Sequence, residues 1–143
     1  MAEYVYNPIQ EVEDGQNVLL QDSIPCNRGY VIHRNGSGIL TLRGIVNNPC
    51  AKFARYKVEF NGNIAIPTDG TAGEISLALA IDGEPLQTSR ARVTPTVVNA
   101  YFNVTSVANI TVPAGCCLTI SIENTSGTSI NVQNANLTVD RTA

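Results

Sequence analysis

Bulky hydrophobic residues recur at every second position in several short runs, and turn residues separate these runs. The clearest run lies in residues 73–86 (GEISLALAIDGEPL), where aliphatic side chains alternate with small ones. A period of two is typical of a strand with one well-buried face. Asp82 and Gly83 follow at once, and this pair favours a tight turn because it tolerates positive φ. The pattern predicts a strand that ends in a hairpin.

The second face of this strand carries only small side chains: Ser76, Ala78 and Ala80. In an antiparallel sandwich we would expect such an outer face to be polar and in contact with water. A small and mostly apolar outer face is what a subunit interface requires. We therefore expect these three residues, together with Tyr101, to lie in the interface of a homo-oligomer.

Similar runs along the rest of the chain predict about eight to ten strands and no amphipathic helix. They lie at residues 17–21, 29–33, 39–43, 53–60, 64–66, 85–90, 97–104, 109–112, 117–123 and 130–139. Residues 61–63 (Asn-Gly-Asn) predict a turn or bulge, and Phe53 falls on the charged face of its strand. The apolar residues of the last strand change faces partway, which predicts a β-bulge. The fold class is therefore all-β, an antiparallel sandwich of jelly-roll type; the Cys-Trp-Cys pattern of an immunoglobulin sandwich is absent.

Residues 1–15 (MAEYVYNPIQEVEDG) are interpreted as an arm, and residues 16–143 as one domain. Pro8 denies the segment a central position in a sheet. One interpretation is a frayed terminus. The other is an attachment arm, whose candidate contact residues are Tyr4, Tyr6, Pro8 and Ile9.

The composition excludes several classes of function. The net charge is −3, so we do not expect the basic surface with which proteins bind nucleic acid. No run of eighteen apolar residues occurs, and the first residues lack the basic and apolar pattern of a signal peptide. We expect a soluble protein, made in the cytoplasm, that does not insert into a membrane.

The four cysteines are Cys26, Cys50, Cys116 and Cys117. No Cys-x-x-Cys pair is present, and a single histidine is too little for a confident zinc site. Reduced, buried cysteines are the favoured interpretation in a cytosolic product. A Cys26–Cys50 disulfide or a weak metal site is the alternative.

No catalytic arrangement emerges from the sequence, and we expect neither an enzyme nor a cofactor. His33 has no activating acid nearby in the sequence, so we expect a hydrogen-bonded strand residue at a rim or interface. Metal binding or a pH-sensitive contact is the alternative. Asp69, Asp82 and Glu84 are a weak candidate calcium site, since no spaced loop motif surrounds them.

Loop arginines and exposed aromatic residues are the remaining candidate contacts. The arginines suit bidentate contacts with a protein partner, although scattered solvated charges would look the same. They are Arg28, Arg34, Arg43, Arg90 and Arg92. Tyr101 and Phe102 are adjacent, so they cannot both be buried on one face. One of these two rings is therefore a candidate for stacking against a glycan.

Three segments together resemble the C-terminal domains of the C1q/TNF-like superfamily. They are residues 75–86 (ISLALAIDGEPL), 101–104 (YFNV) and 109–141 (NITVPAGCCLTISIENTSGTSINVQNANLTVDR). The resemblance extends over residues 16–141 and points to the bacterial and phage branch, which includes collagen-like spore glycoproteins. Within that branch the chain looks most like short proteins of phages and prophages of gut Firmicutes. It differs in having no Gly-X-Y stem before the domain.

The resemblance implies a ten-stranded jelly roll that assembles as a homotrimer, and it implies a function on a virion. The leading hypothesis is a capsid decoration or head-fibre protein, docked on the major capsid protein lattice through residues 1–15. Its location would be the capsid surface after synthesis in the host cytoplasm. The alternative is a head domain, on a phage fibre or bacterial surface filament, that binds a host-surface glycan or protein.

Overall fold

Twelve strands and one 3₁₀ turn occur in the part of the chain that the computed structural model describes, residues 2–25, 29–44, 50, 52–115 and 117–142. The strands are β1 (Ala2–Tyr6), β2 (Gln10–Val12), β3 (Gln21–Ile24), β4 (Val31–His33), β5 (Ile39–Arg43), β6 (Phe53–Ala65), β7 (Ile75–Ile81), β8 (Glu84–Pro85), β9 (Ala91–Val93), β10 (Phe102–Pro113), β11 (Cys117–Asn124) and β12 (Ile130–Arg141). The 3₁₀ turn is Gln87–Ser89. No helix among these residues is long and apolar enough to cross a membrane.

The strands form two antiparallel sheets. The first, called sheet A here, has the order β10-β6-β12-β1-β3, with β2 also paired to β12. The second, called sheet B, has the order β4-β5-β11-β7-β8, with β9 also paired to β7. The predicted all-β antiparallel sandwich is therefore confirmed.

One hydrophobic core lies between the sheets because the strands alternate in burial. In β6 and β10 every second side chain is buried, and the intervening ones face outward. Tyr56 and Phe60 of β6 are fully buried, and they pack with aliphatic residues of β5, β7, β11 and β12. This alternation sets which side chains each sheet presents on its outer face.

The hairpin that follows β7 is formed as predicted. The strand covers Ile75–Ile81, and Asp82 and Gly83 have φ values of 51° and 85°. Two consecutive residues with positive φ match the right-handed twist of the flanking strands, which explains why Asp-Gly occurs at this turn. The predicted returning strand at 85–90 is much shorter, because the chain enters the 3₁₀ turn after Pro85.

The N-terminal segment is not an arm at residues 2–6 or 10–12, so that prediction is wrong there. Residues 2–6 form β1, which pairs with β12 on one side and with β3 on the other, and residues 10–12 form β2, which pairs with β12. Ala2 and Tyr4 are 1% and 2% exposed and belong to the core. Pro8 lies beyond the end of β1, so it removes no hydrogen bond from this strand.

Of the two alternatives predicted for residues 61–63, the turn is wrong, since β6 runs through them, whereas a bulge does occur in the ladder at these residues. A Cβ on Gly62 would lie 2.9 Å from the ring of Phe60, so glycine is needed for the close approach of this ring. The irregularity lies in the partner strand. The register of β12 shifts between Gln133 and Asn136, and Asn134 has a φ of 55°. The predicted bulge in the last strand is confirmed.

Candidate functional site

Strand β10 forms one edge of sheet A, and it pairs only with β6 among the described residues. It is 12 residues long, and none of these residues carries a charge. The opposite edge strand, β3, has four residues and includes Asp22. Protein edges are usually protected by charge, shortness or cover, because unpaired backbone groups attract another strand. The β10 edge is protected neither by charged residues nor by a short length.

The outward side chains of β10 mix one exposed aliphatic group with polar groups. Val107 is 45% exposed and lies opposite Glu59 of β6. At the end of the strand, Pro113 lies opposite Phe53, whose ring is 39% exposed. The Arg55 guanidinium lies 4.5 Å from the centre of this ring, so Phe53 falls on the charged face as predicted. This half of the face is mixed, with apolar groups among charged ones.

The other half carries a row of asparagine side chains, called the amide row here: Asn103 of β10, Asn61 and Asn63 of β6, and Asn134 of β12. Asn103 donates to the Oδ1 atoms of Asn61 and Asn63, at 2.9 and 3.2 Å. Asn63 donates to Oδ1 of Asn134 at 3.2 Å, and Thr105 donates to Oδ1 of Asn61 at 3.3 Å. Four amides on three adjacent strands are thereby held on one surface.

The backbone at Asn134 explains how the row extends onto β12. Its left-handed conformation lies inside the bulge, and bulges commonly redirect a side chain. Asparagine tolerates this conformation better than most residues. Asn134 thus contributes an amide at a position that a regular strand would not present in this way.

Beyond the row, polar contacts continue across sheet A to its far edge. Asn136 donates to Glu3 Oε2 at 3.1 Å, and Ser23 donates to Glu3 Oε1 at 3.0 Å. Lys57 and Glu59 form an exposed ion pair at 3.0 Å. The outer face of sheet A therefore carries polar contacts across its width together with the exposed apolar groups Val107 and Phe53, and its carboxylates lie beside the amides.

The predicted interface residues on β7 lie on the outer side of sheet B, but they are not open to a partner. Ser76, Ala78 and Ala80 are 0%, 0% and 1% exposed in a single chain. Ser76 accepts a hydrogen bond from Arg90 Nε at 3.0 Å and lies 2.7 Å from the hydroxyl of Thr125. The expectation of an open small face is wrong, because this chain's own residues cover it. Tyr101 is half-buried before β10.

Glu123 of β11 lies opposite Ala78 and carries an unusual carboxyl group. Its Oε2 atom is buried and has no hydrogen-bond partner among the described residues. Desolvation raises the pKa of Glu123, and the charges of Glu84 and Asp14 raise this pKa further. These groups repel one another, so the site disfavours the ionised form of Glu123.

His33 is a strand residue with a hydrogen-bonded ring, as predicted. Its side chain is 1% exposed. Nδ1 lies 2.6 Å from Asp22 Oδ1 and Nε2 lies 2.8 Å from the carbonyl oxygen of Ser37. The ring also packs against Tyr4, with 4.6 Å between ring centres. His33 therefore joins β4 to β1 and β3 of sheet A.

The predicted attachment residues are divided between the core and the surface. Tyr4 is buried, and Tyr6 is partly buried against the core. Pro8 and Ile9 are exposed in the loop between β1 and β2, and Ile9 is 53% exposed. Among the described residues of the predicted arm, the apolar residues classed as exposed are Pro8 and Ile9 in this loop.

The remaining candidates do not converge on one site. Cys50 and Cys117 are exposed, which corrects the expectation that they are buried, whereas Cys26 and Cys116 lie outside the described residues. Arg90 is held by Ser76 and Thr125, and Arg34, Arg43 and Arg92 are exposed or half-exposed on separate strands and loops; Arg28 is outside the described residues. In the described part of the chain, no three His, Cys, Asp or Glu side chains could hold a metal ion together, so the candidate calcium site is not formed.

Comparison with solved structures identifies the fold. The globular domain of zebrafish complement 1qA protein matches with a TM-score of 0.60 and 16% identity over 96% of this chain and 94% of that one. Murine APRIL matches with a TM-score of 0.52 and 14% identity over 92% and 96% of the two chains. No protein-family model and no curated protein sequence matches the chain. The fold is therefore that of the C1q and TNF jelly rolls, as the sequence resemblance implied.

Proposed function

We propose that this chain is a structural protein that assembles as a homotrimer and decorates the surface of a phage capsid. The homotrimer is what the sequence resemblance to the C1q/TNF-like superfamily implies, and the fold shared with the two matched structures supports that resemblance. The sequence resemblance of residues 16–141 to phage proteins supports the location on a virion. The proposal assigns self-association to sheet A rather than to the covered face of β7.

The observation that carries this proposal is the β10 edge. It is 12 residues long and uncharged, and no strand of the described chain pairs with its second edge. An edge of this kind is a site for pairing or aggregation when it is left uncovered. A neighbouring copy at β10 would cover this edge, and exposed Val107 would gain an apolar contact. Closed association of three copies would leave no such edge in water.

A lysine at position 107 tests this proposal. Val107 is 45% exposed in a single chain, so Val107→Lys should change the stability of the subunit by less than about 0.5 kcal/mol. In the trimer the lysine would place a charge against the neighbouring copy, so light scattering should give the mass of one chain. Ile32→Lys is the matched control, since Ile32 is 53% exposed on the outer face of sheet B. A Val107→Lys variant that remains trimeric would place the interface elsewhere.

For attachment to the capsid, we propose the loop between β1 and β2. Pro8 and Ile9 are exposed there, whereas Tyr4 is held in the core. Ile9→Asp should abolish sedimentation of the protein with purified capsids and leave its mass and melting temperature unchanged. Ile39→Asp, at a residue 50% exposed on sheet B, serves as the control. Normal capsid binding by Ile9→Asp would exclude this loop.

The second candidate function is a head domain that binds a receptor or glycan. The amide row favours it, because planar amides offer both donors and acceptors on an open surface. A glycan array probed with the whole protein distinguishes the two functions. Binding to a defined set of glycans supports the head domain, and a blank array favours decoration alone.

A further inference from the structure

The amide row retains hydrogen-bonding capacity that the chain itself does not use. Within the described chain, the Nδ2 groups of Asn61 and Asn134 and the Oδ1 atom of Asn103 make no hydrogen bond to another group. The acceptor lies on β10 and the two donors lie on β6 and β12, and adjacent strands of a sheet lie about 4.8 Å apart. Asn61, Asn103 and Asn134 are exposed, and Asn63 between them is half-exposed. The row therefore presents donors and acceptors together on a flat, open face.

The charges around the row restrict what it can bind. Glu59 lies next to Asn61 on the same face of β6, and Glu3 bonds Asn136, which lies opposite Asn61 in β12. The nearby cation, Lys57, is paired with Glu59 at 3.0 Å. An anionic ligand at the row would meet two carboxylates, and Lys57 is already paired with one of them. An uncharged ligand rich in hydroxyl groups matches both the amides and their surroundings.

From these contacts we infer that the amide row is the binding site for a neutral oligosaccharide. This inference rests on the second proposed function, and it names the site and the ligand class. Asn61 and Asn134 donate through Nδ2 to sugar oxygens, and Asn103 accepts a sugar hydroxyl through Oδ1. Asn63 holds the row together through its bonds to Asn103 and Asn134. The contacts assigned to the row are hydrogen bonds from amides alone, so each site binds weakly, and several copies in one assembly raise the overall affinity.

Titration of the isotope-labelled protein tests this assignment by NMR. The probes are maltotriose and chitotriose as neutral bacterial-type sugars, lactose as a neutral host-type sugar, and 3′-sialyllactose as its anionic counterpart. A neutral sugar should move the side-chain amide signals of the row, and sialyllactose should bind more weakly than lactose. The sugar that moves the signals most identifies the source of the glycan. If none of the neutral sugars moves these signals at millimolar concentration, the inference is wrong.

Variants distinguish a binding row from a merely structural one. Asn134→Gly removes one amide, and glycine adopts the 55° φ of this residue without strain, so the bulge is kept. This variant and Asn61→Ala should each weaken sugar binding about three- to tenfold, since each removes a hydrogen bond to the ligand. Asn109→Ala, on the same face of β10 but outside the row, should bind normally. Equal affinity in Asn134→Gly and wild type would overturn the assignment.

The mass of the same samples separates this inference from the assembly proposal. A trimer that binds no neutral sugar contradicts the amide-row site and leaves the assembly proposal intact. A single chain that binds sugar through the row contradicts the trimer and supports the site. Sugar binding that persists after both Asn61→Ala and Asn134→Gly would place the site on another face.

Discussion

Replacing Tyr4 by alanine should destabilise the whole domain. Tyr4 is 2% exposed, and its ring packs against that of His33. An aromatic side chain buries about 150–250 Å², which corresponds to at most about 4–6 kcal/mol at about 25 cal/mol per Å². Measured aromatic-to-alanine substitutions in cores cost about 3–5 kcal/mol. With about 2.1 cal/mol/K of unfolding entropy per residue over 143 residues, the melting temperature should fall by roughly 10–17 °C.

Differential scanning calorimetry and urea denaturation measure this loss. Ile9→Ala is the matched control, since Ile9 is 53% exposed in the loop after β1 and should change stability by less than about 0.5 kcal/mol. Deletion of residues 1–6 should destabilise the protein at least as much as Tyr4→Ala does. If Tyr4→Ala and the deletion both melt at the wild-type temperature, these residues form a free arm, and the packing described for β1 is wrong.

Three further substitutions test the buried groups of sheet B and its contact with β1. The raised pKa of Glu123 means that its ionised form is disfavoured in the folded state, so this side chain should contribute a loss of stability as pH rises through its ordinary pKa of 4.5 towards the raised one. The urea midpoint of Glu123→Gln should therefore be higher than that of wild type at pH 7 but not at about pH 4. A difference between the two midpoints that is the same at both pH values would contradict this reasoning. Ala78→Asp should lower subunit stability by about 3–5 kcal/mol in urea melts, because an unpaired charge would be buried at a 0% exposed position opposite Glu123, whereas Ile39→Asp should be tolerated. His33→Ala should lower the free energy of unfolding by about 2–4 kcal/mol in thermal melts, because it removes the hydrogen bonds of the ring to Asp22 and Ser37. A loss no larger than that caused by Arg34→Ala, at an exposed residue, would contradict the described contacts.

The sequence predicts those elements whose signal is local. In β7 the alternation and the Asp-Gly turn lie within nine residues of one another, and both are confirmed. The bulge of β12 is visible because its apolar residues change faces within one strand. Local patterning is sufficient in both cases because the burial of alternate side chains decides the register.

The sequence misses elements that depend on distant partners. Strand β1 pairs with residues 135–139, so only the folded chain shows that Tyr4 is buried. Residues 61–63 have the composition of a turn, but pairing on both sides keeps β6 extended through them. The amide row was missed for the same reason. Asn61 and Asn63 have the i, i+2 spacing of one strand face, but the register that brings Asn103 and Asn134 beside them is set by the fold.

The measurement that tests the central claim most directly is the mass of the wild-type protein in solution. Multi-angle light scattering across a range of concentrations should give three times the 15.3 kDa of one chain, with the β10 edge covered by a neighbouring copy. A mass of 15.3 kDa at every concentration would contradict assembly through sheet A.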